Sequence, residues 1–239
     1  MELVEYLEKG SKSFGNSLNN NQIKQFLDYK GLLLEWNEKM NLTAITEEKE
    51  IIIKHFLDSI SVGGLFDFSS KVKVIDIGTG AGFPGIPLKI TYPNIDITLL
   101  DSLNKRIEFL KEVVSRLSLM DVNAIHGRAE ELGQDKDHRH SYDICVSRAV
   151  AHLSVLAEYT LPFIKIGGMF ISMKSTNIDE ELRDSKKAIQ VLGGELIDIK
   201  DIDIPFSDIR HRVLFIRKER PTPTKYPRKP GKPSKSPIR

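Results

Sequence analysis

VIDIGTGAGFPGIP, residues 74–87, decides how this chain is read. An apolar run shaped like a buried strand ends in Gly78, Gly80 and Gly82. Glycines so placed let a backbone turn tightly and approach a ligand closely. From residue 71 onward the same strand, turn and helix rhythm repeats. VKVIDIG (72–78), IDITLLD (95–101), VNAIHG (122–127), YDICVSRA (142–149) and GGMFISMK (167–174) read as strands. IPLKITY, NKRIEFLKEVVSRLSL (104–119), the stretch through LSVLAEY, and DEELRDSKKAIQVLG (179–193) read as the helices that separate or follow them. ELIDIKDIDI and HRVLFIRK come last with no helix between them, which predicts an antiparallel pair at one edge. The alternation predicts an α/β fold, a Rossmann-like and mostly parallel sheet covered on both faces. Ligands of such sheets bind at the carboxyl ends of the strands, where the winding reverses.

Residues 1–70 read instead as a helical region. Asn19 and Gln22 have the spacing of a reciprocal cap, ahead of a stripe of Ile23, Phe26, Leu27 and Leu34. Thr46 is placed to cap a second helix with the stripe Ile53, Phe56, Leu57 and Ile60, stopped at Gly63 and Gly64. Residues 71–219 form the main domain. Residues 220–239, RPTPTKYPRKPGKPSKSPIR, hold seven Lys/Arg, no acid and six of the eleven prolines. The formal charge of +2 therefore hides a body with 28 basic and 33 acidic residues. The expectation for this tail is a disordered cationic segment, either a solubilising appendage or an electrostatic arm for a phosphate backbone.

The loop departs from a dinucleotide fingerprint, whose third glycine is replaced by Phe83. Asp76, two residues ahead of the first glycine, would repel a pyrophosphate, yet suits a ligand bearing an ammonium or sulfonium; it also has the reach to bond the loop's own amides. No Gly-Lys-Ser/Thr follows, so a Walker loop is excluded. Asp101 closes the next strand, where an acid accepts from ribose hydroxyls. HGRAEEL (126–132) ends the third strand, with Ala129 and Glu130 placed to read an adenine edge. The three strand ends together call for a cationic adenosine ligand without phosphates, S-adenosyl-L-methionine.

The composition is that of an ordinary globular protein, 40% apolar and 28% charged over 239 residues. The acidic start MELVEYLEKG lacks the basic region of a secretory signal, and no apolar run reaches the ~18 residues needed to cross a bilayer. Cys145 is the only cysteine. These features lead to the expectation of a cytoplasmic protein with no membrane and no obligate protein partner.

Missing motifs narrow the methyl acceptor. The fourth strand runs into SRAVAH, not the Asn/Asp-Pro-Pro-aromatic run that serves exocyclic amines. Cys145 lies between Ile144 and Val146 inside a strand, unlike the exposed nucleophile required for carbon 5 of a pyrimidine. No His/Cys set has zinc spacing, so no metal is expected. An acceptor with a lone pair in the ring plane remains, guanine N7 among them. It loses no proton and needs no general base, only alignment and tolerance of charge.

WNEKMNLTAI (36–45), HFLDSI (55–60), DIGTGAGFPGIPL (76–88), LLDSLNKRIEFL (99–110), RAEEL (128–132) and SRAVA (147–151) resemble the RsmG family, also called glucose-inhibited division protein B. The resemblance spans about residues 20–218. It implies a class I methyltransferase sheet of seven strands with an N-terminal helical extension. It also implies a bacterial enzyme that methylates N7 of a guanine in 16S ribosomal RNA, free or within the small ribosomal subunit. Carried over by position, it implies cofactor contacts at Gly78, Phe83, Ala129, Glu130 and Arg148, with Asp101 and Ser102 beside them and Asp76, Gly80 and Gly82 in the same loop. The proline-rich tail falls outside the pattern.

Arg148 and Lys174, at the ends of the fourth and fifth strands, are the candidates for a catalytic role, able to pair with a phosphate, donate to guanine O6 or hold the cofactor's carboxylate. Lys174 is equally readable as a solvated strand end. Trp36, Asn37 and Asn41 read as helix packing and a polar turn, or as part of an RNA surface. His55 reads as satisfying a local hydrogen bond rather than binding metal. Three rivals stay open: a small-molecule methyltransferase on the same fold, a non-enzymatic RNA-binding assembly factor, and, disfavoured by Phe83 and Asp76, a nicotinamide-dependent dehydrogenase.

Overall fold

The computed structural model describes residues 1–148 and 151–239. Ala149 and Val150, part of the SRAVA stretch, lie outside the described residues. The chain begins with α1 (Leu3–Ser13) and α2 (Asn20–Met40). Asn19 caps α2 as expected: its Oδ1 accepts from Gln22 N at 3.0 Å, and Gln22 Oε1 accepts from Asn19 N at 2.9 Å. Asn41 ends α2 in the left-handed region, φ 50°. The next helix is α3 (Glu48–Ile51), a π turn (Ile52–Leu57) and α4 (Asp58–Ile60), followed by a 3₁₀ turn through Gly64. Its cap is Glu47, not Thr46: the Glu47 carboxylate accepts from Glu50 N at 2.7 Å. A carboxylate is the stronger acceptor for an orphan amide at a helix start.

The sheet then builds through β1 (Lys73–Ile77), α5 (Gly85–Thr91), β2 (Asp96–Asp101), α6 (Asn104–Arg116), β3 (Val122–His126), α7 (Ala129–Leu132), β4 (Tyr142–Ser147), α8 (Leu153–Thr160), β5 (Ile164–Ser175), α9 (Asp179–Val191), β6 (Gly194–Asp203) and β7 (Arg210–Lys218). The strand order is β3-β2-β1-β4-β5-β7-β6. β1 pairs in parallel with β2 and β4, so the winding reverses there, at the end of β1 where the glycine loop begins. The last two strands do form an antiparallel hairpin, but β7 is inserted between β5 and β6 and is antiparallel to both.

Two apolar clusters cover the two faces. One joins the N-terminal helices to the sheet: Leu7, Phe26, Tyr29 and Phe56 share it with Leu99, Phe109 and Val213. The other gathers Ile75, Leu156, Phe163 and Leu214, and Cys145 sits fully buried within it. Burial pushes the Cys145 thiol well above its ordinary value, which makes it inert as a nucleophile. No helix among the described residues is long and apolar enough to cross a membrane.

The tail corrects the expectation of disorder. Residues 220–239 pack against the second cluster, with Tyr226 and Ile238 on its edge, and end in a short helix, α10 (Lys232–Lys235). Prolines remove donors but leave carbonyls, and side chains of the body capture those carbonyls. Arg139 donates to the carbonyls of Thr222 (2.7 Å) and Tyr226 (2.8 Å), and Gln134 to that of Pro227 (2.9 Å). Arg228 is held by Glu158, whose side chain is 1% exposed, through its backbone N at 2.8 Å and its guanidinium at 2.6 and 2.9 Å. Lys218 Nζ donates to Leu161 O (2.6 Å), Leu192 O (3.1 Å) and Thr222 Oγ1. Composition argued against a core of the tail's own; it did not exclude docking onto one.

Candidate functional site

The glycine loop turns because Gly78, Gly80 and Gly82 all hold positive φ, 71°, 61° and 99°. The amides of Gly78 and Thr79 are tied back to Leu100 O at 2.9 and 3.1 Å, pinning the loop to the end of β2. At Gly82 a Cβ would stand 2.7 Å from both Tyr29 Oη and Ile86 Cγ1, so the N-terminal helix packs directly on the loop. At Gly80 a Cβ would meet nothing within 4 Å; the loop is open on that side.

Asp76 fixes the loop from beneath. Its Oδ2 accepts from Thr79 Oγ1 at 2.7 Å and from Gly85 N at 2.9 Å. Its Oδ1 is buried and has no hydrogen-bond partner among the described residues. Burial pushes the carboxyl up to about 7; the bonds from Thr79 and Gly85 and the charge of Arg148 pull the other way without prevailing. Asp101 braces the same loop from the next strand. Its Oδ2 accepts from Gly80 N (2.9 Å) and Arg106 Nη1 (3.2 Å), and its Oδ1 from Leu103 N (2.9 Å). A carboxylate has about four acceptor sites, so three donors leave room for a ligand hydroxyl.

A cavity of about 290 Å³ opens at these strand ends. Gly78, Asp101, Ser102, Ala129 and Glu130 line it, together with Tyr159 of α8 and Gly231 and Ser234 of the tail. Thus five of the expected cofactor contacts share one pocket. Tyr159, Gly231 and Ser234 are additions to the expected set. No sequence signal marks Tyr159, and the composition of the tail points away from a pocket.

Phe83 and Arg148 belong to a second cluster, on the side of the N-terminal helices. The Arg148 guanidinium lies over the Phe83 ring, 4.9 Å from its centroid. Its Nη1 donates to Asp58 Oδ2 at 2.6 Å and to Lys54 O at 3.2 Å. The His55 ring stacks on Phe83 with centroids 4.5 Å apart and planes 18° from parallel. Arg148 Nη2 stands 3.3 Å from His55 Nδ1. Arginine has only hydrogens to offer, so Nδ1 accepts and the ring proton rests on Nε2, 2.8 Å from Thr43 Oγ1. Burial, then the charge of Arg148, lowers His55 to about 4, keeping it neutral near pH 7. Asp58 also receives His211 Nδ1 at 2.5 Å. Burial raises the Asp58 carboxyl, but the His211 bond and the Arg148 charge outweigh it and hold it below the ordinary range. Asp58 and His211 were not singled out from sequence. His55 and Asp58 are three apart on one helix, a readable pair; His211 arrives from β7 with nothing local to announce it.

Lys174 is neither a solvated strand end nor a free cation. Its Nζ donates to Ala151 O and Glu181 Oε1, both at 2.6 Å, and its side chain is 7% exposed. Glu181 Oε1 also accepts from Leu153 N at 2.5 Å. Lys174 therefore ties β5 to α9 and to the start of α8. Trp36 packs on Phe109 at 5.6 Å, and Asn37 Oδ1 accepts from Thr43 N at 2.8 Å, so this stretch makes helix packing and a polar turn. His55 makes the local hydrogen bond expected of it.

The family model described as rRNA small subunit methyltransferase G matches residues 22–211. The chain is 57% identical over 239 residues to a ribosomal RNA small subunit methyltransferase G of Alkaliphilus metalliredigens, with 100% of each chain covered. It is 56% identical over 239 residues to the protein of the same name from Alkaliphilus oremlandii, again with 100% of each covered. Both alignments run through the tail, which is thus shared in length with these relatives and is not an addition peculiar to this chain. Among solved structures, a fibrillarin pre-rRNA processing protein of Methanococcus jannaschii matches with a TM-score of 0.53 at 16% identity, covering 69% of this chain and 74% of that one, a likeness of fold.

Proposed function

The chain belongs to the rRNA small subunit methyltransferase G family, and on that premise we propose that it transfers a methyl group from S-adenosyl-L-methionine to N7 of one guanine in 16S ribosomal RNA. The observation that carries the reading is the single pocket in which the glycine loop, Asp101 and the Ala129–Glu130 corner meet at the ends of three adjacent parallel strands. S-adenosyl-L-methionine fits this donor set: the Asp101 carboxylate has acceptor capacity left for ribose hydroxyls, and Asp76, at the end of β1, keeps a buried Oδ1 with no partner among the described residues. When bound, it supplies a methyl group activated by a sulfonium.

The residues of the chain then bind, shape and align. Asp76 and Thr79 hold the loop closed, and Leu100 O anchors its first two amides. Arg148, spread over Phe83 and paired with Asp58, presents a guanidinium suited to a carboxylate or a phosphate. Guanine N7 carries its lone pair in the ring plane and gives up no proton, so the chain's task is positioning rather than proton transfer. That agrees with a cluster whose histidines are already engaged, His55 by Thr43 and Arg148 and His211 by Asp58. The exposed Lys225, Lys229, Lys232 and Lys235 of the tail offer charge to an RNA backbone without reading bases.

Small-subunit RNA incubated with the protein and the methyl donor, then mapped by mass and by cleavage at 7-methylguanine, tests this reading. One guanine should gain one methyl on N7. A methyl on another atom, or RNA that is bound and never modified, would overturn it; the second result is what an assembly factor gives.

A further inference from the structure

The tail does more than dock. Gly231 N donates to Glu130 Oε1 at 2.9 Å, so the segment is fastened to one of the pocket's own acids. Gly231 and Ser234 both face the cavity that Asp101 and Glu130 line. Tyr159 stands on the same side, its phenol raised by burial and set among Glu130 and Ser234. The placement is built rather than incidental. Arg228, three residues before Gly231, is clasped by the buried Glu158 and donates through Nη1 to Ser236 O at 2.9 Å, closing the segment into a turn. Pro233 is buried beneath it. Gly231 itself holds φ 79°, a conformation that favours glycine, at the point where the turn meets Glu130.

We propose that residues 228–235 form the outer wall of the adenosine pocket, with Ser234 in contact with the bound ligand and Gly231 setting the position of the Glu130 carboxylate. This rests on the methyl-donor reading above and extends it. The parallel sheet supplies the floor and two sides through β1, β2 and β3; the side left over is covered by a segment more than a hundred residues later in the chain. The division of labour expected from composition, a free arm for RNA and a separate pocket, gives way to one segment that serves the pocket on one side and carries Lys229, Lys232 and Lys235 exposed on the other.

Thiol protection tests the wall in the full-length protein. Cys145 is the only cysteine and is buried, so Ser234→Cys adds a single reactive thiol at an exposed position. Ser236→Cys, also exposed but not facing the cavity, is the control. Binding of S-adenosylhomocysteine is first measured by calorimetry for the unsubstituted protein and both variants. Saturating ligand should then slow maleimide modification of Ser234→Cys at least tenfold and change that of Ser236→Cys less than twofold. Equal rates at Ser234→Cys with and without ligand, in protein shown to bind it, would overturn the wall while leaving the methyl-donor reading intact. Equal protection of both positions would overturn it too, since that is a general tightening of the tail. Absence of calorimetric binding by the unsubstituted protein would remove the methyl-donor reading, and the wall with it.

Discussion

Replacing Asp76 with asparagine should alter how stability depends on pH. The Asp76 carboxyl is buried, Oδ2 has two donors, Oδ1 has none among the described residues, and Asp101 adds a second negative charge nearby. The balance raises it from its ordinary 3.8 to about 7. Below about pH 4 the group is protonated in both the folded and unfolded chain and contributes nothing. Between 3.8 and 7 the unfolded chain ionises while the folded one keeps its proton, so the unfolded state binds fewer protons and stability falls as pH rises. Above 7 the deficit is constant. A raise of roughly 3 units corresponds to a ceiling of about 4 kcal/mol. Relaxation around the ionised group brings the expected figure to about 2–4 kcal/mol. The amide of Asp76→Asn has no such proton to release and keeps a carbonyl for Thr79 and Gly85. Between pH 4 and pH 8 the variant should therefore gain about 2–4 kcal/mol relative to the unsubstituted protein, roughly 4–16 °C in Tm for a chain of this size. Thermal unfolding of both proteins, without ligand, at several pH values across that window is the assay. Parallel Tm curves would show that the folded carboxyl ionises at no cost, and the account of the site's buried charge would fail.

Asp101→Ala should weaken binding of S-adenosyl-L-methionine about ten- to a hundredfold by calorimetry, the worth of a charged acceptor to a hydroxyl, at roughly 1.5–3 kcal/mol. Arg228→Ala leaves Glu158 buried without its cation and should cost about 3 kcal/mol in urea unfolding, while Arg228→Ala combined with Glu158→Gln should recover most of it. Lys174→Met combined with Glu181→Gln should leave the maximal methylation rate within a few-fold of the original, because Nζ is committed to Glu181 and Ala151; a loss of a thousandfold would return Lys174 to the catalytic site. Alanine at Lys225, Lys229, Lys232 and Lys235 should flatten the log–log salt dependence of RNA binding by about 0.7–0.9 for each phosphate no longer neutralised, measured by titration at several salt concentrations.

The features legible in the sequence were those written in consecutive residues. The glycine loop, Asp101 at a strand end and the Asn19–Gln22 cap each depend on neighbours a few positions apart, and each stands where the pattern put it. What escaped depends on partners far along the chain. Nothing near Arg148 announces Asp58, 90 residues earlier, or the His211 that shares it. Lys174 was at a strand end as expected, but the carboxylate that occupies it comes from a following helix. The tail departs from its composition for a related reason. Proline and lysine content reports what a segment can do alone, and this one is held by Arg139, Gln134 and Glu158, all on the body.

The insertion of β7 between β5 and β6 has a consequence for the order in which the chain is made. β5 ends at Ser175 and its partner begins at Arg210, so a nascent chain exposes the free edge of β5 until the last strand emerges. The same delay holds for one contact of the first helix, since Tyr6 packs edge-on against Phe206 with ring centroids 5.0 Å apart. At synthesis rates of about 5–20 residues per second, Tyr6 waits on the order of 10–40 s for that ring. In the last part of this interval, after β5 is made and before β7 follows, an unpaired strand edge and an uncovered ring of the first helix coexist on one ribosome-bound chain, the combination that invites pairing with a neighbour. Slowed translation between Ser175 and Arg210 should therefore cost soluble yield.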